Sequence, residues 1–252
     1  MDCGFRVPLS VASARAINRY AAEMDRSAHA SELLDGPLDD PAALVANLRD
    51  LRRINRFTGG AALSLRAVRA LGDATTILDV GTGAADIPAL LIADARHRGR
   101  GLAITATDSR EEVLDAALVV SPSLSTAAGL TLAVADGRRL PYADASFDVV
   151  HASLLLHHLD ADDALAVLRE MRRVARRGIV VNDLTRSRLF WVGAWLLTRT
   201  LAGSRYTRHD GPLSVRRAWT RAEMIDLLGR AGLTPAVTFV GFAGHRYAIA
   251  AR

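Results

Sequence analysis

From Ser10 to Thr58 apolar residues return at steps of three and four, most plainly Leu44, Leu48, Leu51 and Ile54, with polar residues between them. That spacing lines one face of a helix, so residues 1–60 are expected to form an N-terminal helical cap. Gly36-Pro37 and Pro41 punctuate it, and Gly59-Gly60 separates it from a further helix predicted over 61–71. The pattern then changes. Short apolar runs at 76–80, 102–107, 130–135, 147–151 and 178–182 alternate with helical stretches. Strands alternating with helices imply an α/β fold built on a parallel sheet. Runs apolar at every position, such as Ile179-Val180-Val181, suit strands buried on both faces. Two last runs, 233–240 and 246–251, follow a helix predicted over 220–231, and only the short segment Gly241-Phe242-Ala243-Gly244-His245 joins them. A link that short favours an antiparallel hairpin.

The stretch Ile77-Leu78-Asp79-Val80-Gly81-Thr82-Gly83-Ala84-Ala85-Asp86 carries a buried strand through a two-glycine turn into a helix. Glycine at 81 and 83 allows positive φ and leaves no Cβ, so a ligand can lie against the main chain while the helix directs free N–H groups at it. A nicotinamide fingerprint would place glycine or alanine at the sixth position of the motif, where this chain has Asp86. Further acidic residues close the next two strands: Asp108 in Thr107-Asp108-Ser109, and Asp136 in Ala135-Asp136-Gly137, the latter followed by Leu140-Pro141 and Phe147-Asp148.

These motifs resemble those of the class I S-adenosylmethionine-dependent methyltransferases, and the match covers about residues 73–252. The resemblance implies a Rossmann-like, seven-stranded, mostly parallel sheet with an antiparallel C-terminal hairpin. It places Asp79, Gly81, Thr82 and Gly83 against the methionine and ribose part of S-adenosyl-L-methionine. Asp108, with Ser109 beside it, would accept both ribose hydroxyls, and Asp136 and Gly137 would read the adenine. Asp108 stands 29 positions after Asp79, against about twenty in dinucleotide folds; the insertion Arg96-His97-Arg98-Gly99-Arg100-Gly101 accounts for the excess. Asp108 could instead cap the helix that begins near Arg110.

Composition narrows the chemistry. The 252 residues are half hydrophobic, ample for one large core, and every basic side chain is arginine. Without lysine there is no Schiff-base or P-loop chemistry. The net charge of +5 comes from scattered arginines, which fit a solvated surface better than a nucleic-acid footprint. Cys3 is the single cysteine, which removes intramolecular disulfides and thiolate clusters and fits a reducing cytoplasm. The N-terminus shows no secretory pattern. The apolar segment 189–197 is about half the length needed to cross a bilayer, so no stable membrane insertion is expected.

Methyl transfer needs an acceptor aligned with an electrophilic carbon and a route for the acceptor's proton. Positioning supplies much of the acceleration, on the order of 7–11 kcal/mol in favourable systems, and a general base adds about 10²–10⁴-fold. His157 and His158, in Leu156-His157-His158-Leu159 after the fourth strand, are the candidate bases. Either could instead pack or cap. Asp183, after the fifth strand, could orient a histidine, bind an acceptor hydroxyl or close the strand with a loop hydrogen bond. His209-Asp210 lies in the connection 185–219, which in the family forms part of a substrate lid inserted in the domain 61–252. No residue set has zinc or magnesium spacing, so no metal is expected. Leu189, Phe190, Trp191, Trp195 and their neighbours favour a small, apolar or aromatic acceptor such as a polyketide, phenol or quinone-like metabolite, although such a lid could equally be a homodimer face. O-methylation is the expectation; C-methylation in quinone-type biosynthesis and a non-catalytic cofactor-binding protein are the alternatives.

Overall fold

The computed structural model describes residues 24–28 and 30–252, so Cys3 and the helical pattern at 10–23 lie outside the described residues. Seven strands form one sheet: β1 (Thr76–Val80), β2 (Ala103–Asp108), β3 (Leu130–Val134), β4 (Phe147–Ser153), β5 (Ala175–Leu184), β6 (Pro235–Val240) and β7 (Arg246–Ala251). Their order is β3-β2-β1-β4-β5-β7-β6. The first five are parallel, and β7 runs antiparallel to both β5 and β6. The expected Rossmann-like sheet with its C-terminal hairpin is therefore the sheet that forms. The strand order reverses between β1 and β4, and at that point the diverging loops of an α/β sheet leave a crevice beyond the strands' carboxyl ends.

Among the described residues eight α-helices surround the sheet: α1 (Pro41–Phe57), α2 (Gly60–Ala70), α3 (Asp86–His97), α4 (Glu111–Val120), α5 (Ala161–Val174), α6 (Arg188–Leu201), α7 (Arg205–Arg217) and α8 (Arg221–Arg230). Successive β1 residues point to opposite faces, and both faces are covered. Ile77 meets Leu63 and Ala67 of α2 and Leu91 of α3. Leu78 and Val80 meet Leu168 and Met171 of α5, with Met224 and Leu228 of α8 behind them. This two-sided burial explains why the central runs carry no polar alternation.

Over the carboxyl edge, α1 packs on α4 and α7, with Leu44 and Leu48 against Val113, Ala117 and Tyr206. Residues 30–40 differ from the expected helix. They form no regular element except one turn at Leu33–Asp35, because Gly36 and Pro37 interrupt helix geometry and Asp40 caps α1 by accepting from the Ala43 N–H. Asp210 of α7 accepts from the Leu33 and Leu34 N–H groups at 2.8 and 3.1 Å and ties this segment down. Among the described residues no helix is long and apolar enough to cross a membrane.

Candidate active site

The carboxyl ends of β1, β2 and β4 converge on a cavity of about 480 Å³ lined by Gly81, Thr82, Gly83, Asp108, Ser109, Asp136 and Gly137. Seven of the eight expected cofactor residues therefore meet in one place. The loop is held by Thr82 donating its N–H to the Thr107 carbonyl and by Thr107 Oγ1 donating to the Asp79 carbonyl. Gly81 takes φ 69°, and a Cβ there would stand 2.9 Å from a Leu155 methyl; glycine is demanded by conformation and by space. Asp108 accepts from the Gly83 and Arg110 N–H groups at 3.2 and 3.3 Å. Burial outweighs those bonds and pushes its carboxyl above the usual aspartate range. Asp108 does not cap the helix: α4 has Arg110 at its N-cap with no side-chain cap bond, and Asp108 only closes a turn onto the Arg110 N–H ahead of it.

Asp79 departs from expectation. It does not line the cavity; its carboxylate contacts Nδ1 of His151, its cross-strand partner on β4, at 2.5 Å. His151 Nε2 continues to Ser64 Oγ at 2.7 Å. Ser64 accepts from the Asn182 amide, whose oxygen accepts from Arg246 Nε at 2.6 Å. Arg246, 1 % exposed, donates onward to Asn55 and Ser153, and Asn55 donates to Asp86 beside the glycine loop. Burial lowers the Arg246 pKa to about 10, against the pull of Asp183 and Asp86. A lone histidine inside the apolar run Val149-Val150-His151-Ala152 was the sequence signal for this chain, and its partners Ser64, Asn182 and Arg246 carried none. Asp136 is exposed and gripped by the Arg138 guanidinium at 2.9–3.2 Å, which lowers its pKa.

A second cavity, about 460 Å³ and largely apolar, is lined by Leu51, Ile54, Leu189, Phe190, Ala194 and Leu197 among others. It shares Leu34, Leu51, Leu154 and His158 with the first. Leu154 has φ 54°, a left-handed conformation costing of order 1–3 kcal/mol for a non-glycine residue. It turns the chain sharply out of β4 at the boundary between the two cavities. Leu189 and Phe190 form part of the wall as expected, while Trp191 and Trp195 do not line it.

The two histidines after that bend are differently held, though their rings lie 4.2 Å apart. His157 is buried; its Nδ1 stands 2.7 Å from Asp183 Oδ1 and its main-chain N–H donates to the other oxygen of the same carboxylate. A carboxylate at Nδ1 fixes the proton there and leaves the Nε2 lone pair free. Burial alone would raise the Asp183 pKa, but the contact with His157 outweighs it and holds Asp183 low. His158 donates from Nδ1 to Asp35 at 2.9 Å, with Glu32 at 3.6 Å. Burial would lower its pKa, but Glu32 and Asp35 raise it to about 9, which favours its charged form at neutral pH over a base role. Arg217 clamps this corner by donating to Asp35 and to the carbonyls of His157 and His158. Arg26 donates to the Leu159 carbonyl and stacks 3.6 Å from the centre of the Trp219 ring.

Glu32, Asp35, Arg26 and Arg217 were missed by sequence reading, since nothing in their spacing ties them to residues more than a hundred positions away or to one another. They also qualify the metal expectation. Glu32, His157 and His158 bring ligand atoms within 4.8 Å of one another, a cluster no sequence spacing could reveal. The His158 proton and the nearby Arg217 guanidinium oppose a cation there.

The protein family described as "Methyltransferase domain" matches residues 78–181. That segment is similar to a methyltransferase domain, and the sheet around it has the fold of solved methyltransferase structures. A ubiquinone/menaquinone biosynthesis C-methyltransferase of Rickettsia akari is 35 % identical over 100 residues, 40 % of each chain; the chain thus spans well under half the length of that curated relative in the match. A methyltransferase from Aquifex aeolicus shares the fold at TM-score 0.59 and 18 % identity, over 84 % of this chain and 97 % of that one. An O-methyltransferase family protein from Burkholderia thailandensis does so at 0.63 and 15 %, over 85 % and 60 %. The first cavity suits S-adenosylmethionine, the cofactor that the resemblance implies. Its glycines admit a ligand to main-chain contact, the acidic Asp108 faces where hydroxyls would lie, and buried Thr82 Oγ1 has no hydrogen-bond partner among the described residues.

Proposed function

We propose that this protein transfers a methyl group from S-adenosylmethionine to a hydroxyl of a small, largely apolar acceptor. One observation carries the reading: the His157–Asp183 pair faces an apolar cavity that shares a wall with the glycine-lined one. When bound, the cofactor supplies an electrophilic methyl. Gly81, Thr82 and Gly83 then hold it against the main chain, with Asp108 and Ser109 at its ribose and Asp136 and Gly137 at its adenine. The acceptor lies between Leu51, Phe190 and Leu197, with its hydroxyl at His157 Nε2. That nitrogen takes the proton, Asp183 stabilises the resulting imidazolium, and His158, whose raised pKa favours its charged form at neutral pH, positions Glu32 and Asp35. In this reading residues 1–60 form the cap, 61–252 the catalytic domain and 185–219 the lid.

Incubation with labelled S-adenosylmethionine and a panel of hydroxylated aromatic compounds tests the reading. His157→Ala is expected to lower turnover about 10²–10⁴-fold while the affinity for S-adenosylhomocysteine stays as it was. Normal turnover in that variant would reduce His157 to packing. A second reading, C-methylation of a quinone-type ring, is supported by the similarity to the quinone-pathway relative. The fold itself does not choose between oxygen and carbon, and NMR of the product separates an O-methyl from a ring C-methyl. Binding without turnover on any acceptor would leave a non-catalytic cofactor-binding protein.

A further inference from the structure

The apolar cavity contains buried hydrogen-bond acceptors that nothing satisfies among the described residues. Glu32, 3 % exposed, uses Oε2 to accept from Ser214 Oγ, and its Oε1 has no hydrogen-bond partner. Asn47, also 3 % exposed, donates its amide N–H to Thr207 Oγ1 at 3.1 Å, and its Oδ1 has no partner. His245 donates from Nδ1 to the Phe242 carbonyl, leaving Nε2 likewise unpaired. All three residues line this one cavity. Leaving a buried acceptor unsatisfied is destabilising, and three in a single apolar chamber mark where a ligand's donors belong.

The fold also sets their spacing. Ser214 and Thr207, which anchor Glu32 and Asn47, stand on the same helix α7. Seven residues apart, they are separated by about 10 Å along its axis. Glu32 Oε1 lies 4.0 Å from His157 Nε2, at the reacting end; Asn47 marks the far end.

We infer that the acceptor is an elongated, fused-ring or similarly extended apolar molecule with hydrogen-bond donors at both ends: the reacting hydroxyl directs its single proton between Glu32 Oε1 and His157 Nε2, 4.0 Å apart, and the other donor reaches the Asn47 amide oxygen. This rests on the acceptor reading of the cavity and sharpens it. A scaffold presenting only ether or quinone oxygens would face acceptor with acceptor and leave Glu32 and Asn47 unpaired. Discrimination of this kind is large because the rejected ligand leaves buried polar groups unpaired.

The test uses the full chain with S-adenosylhomocysteine bound and matched fused-ring diols, monomethyl ethers and dimethyl ethers of naphthalene and anthracene, with affinities measured by ligand-observed NMR. Each diol is expected to bind at least about tenfold more tightly than its dimethyl ether. Asn47→Leu, whose fold is checked by its melting temperature and its unchanged S-adenosylhomocysteine affinity, should bring the diol down to the level of the monoether. Dimethyl ethers binding as tightly as diols to the unaltered protein, or a folded Asn47→Leu with full diol affinity, would overturn the inference and leave the acceptor cavity standing. If no member binds while S-adenosylhomocysteine does, the acceptor reading of the cavity itself fails.

Discussion

The two cavities are built in opposite ways. The glycine-lined one is made mainly from main chain and short side chains at the ends of β1, β2, β3 and β4, each contributed by a strand and the few residues after it. The apolar one is assembled from α1, the Leu33–Asp35 turn, α6, α7 and the loop between β6 and β7, pieces separated by up to two hundred positions. A donor molecule with one fixed shape can be held by backbone geometry, which needs a particular local sequence. An acceptor is held by side chains on the layer above the sheet, and these can change without disturbing the sheet.

That contrast can be broken from the backbone side first. Gly81→Val forces a β-branched residue to positive φ and drives its Cβ toward Leu155. Calorimetry with S-adenosylhomocysteine should show affinity falling about a hundredfold or more, and retention would mean the loop does not hold the cofactor. Arg246 lines the apolar cavity and bonds Asn55 on the wall of the other, so Arg246→Leu should damage both halves together. It strands Asn55, Ser153 and Asn182, at about 1–3 kcal/mol for each buried group left unpaired. Denaturant melts should record a loss of several kcal/mol, and a loss below about 1 kcal/mol would mean that the network is not a stabilising link.

Asp108 and His158 sharpen the comparison through pH. Asp108 has a folded pKa raised by burial, so it favours folding at pH below its unfolded value near 3.9, and that contribution is lost as pH rises through the folded value. Asp108→Asn should therefore raise the melting temperature of the free protein at pH 7 while cofactor affinity falls about tenfold or more, since two charge-assisted hydrogen bonds weaken. A variant that melts lower and binds normally would contradict both. His158 is also raised, to about 9. Its stabilising contribution is complete below about pH 6.5 and is lost as pH rises through about 9. His158→Gln should be the least damaging of the four at high pH and should flatten the stability profile between those limits; an unchanged profile would show that the ion cluster with Glu32 and Asp35 contributes nothing.

The sheet and the donor cavity were legible in the chain because their signals are local. Runs apolar at every position marked the buried strands, and glycines at 81 and 83 marked a turn whose backbone takes positive φ at both. Asp108, Ser109, Asp136 and Gly137 were singled out by their places directly after the second and third strands, and they line the same cavity as the glycines. Asp79 was misjudged at the level of side-chain direction. A strand residue faces one side of the sheet or the other, and only the pairing with β4 put His151 opposite its carboxylate.

The amino-acid order alone thus determined the alternation of strands and helices, the closing hairpin and the main-chain cradle, since each depends on neighbours within a few residues. Tertiary structure decided which histidine pairs with Asp183 and which with Glu32 and Asp35. That outcome turns on charges and burial: Asp183 reaches His157 from β5, while Glu32 and Asp35 reach His158 from a segment more than a hundred positions earlier. Local sequence carries no record of distances between groups so remote, and electrostatic energies depend on those distances and on the exclusion of water around them.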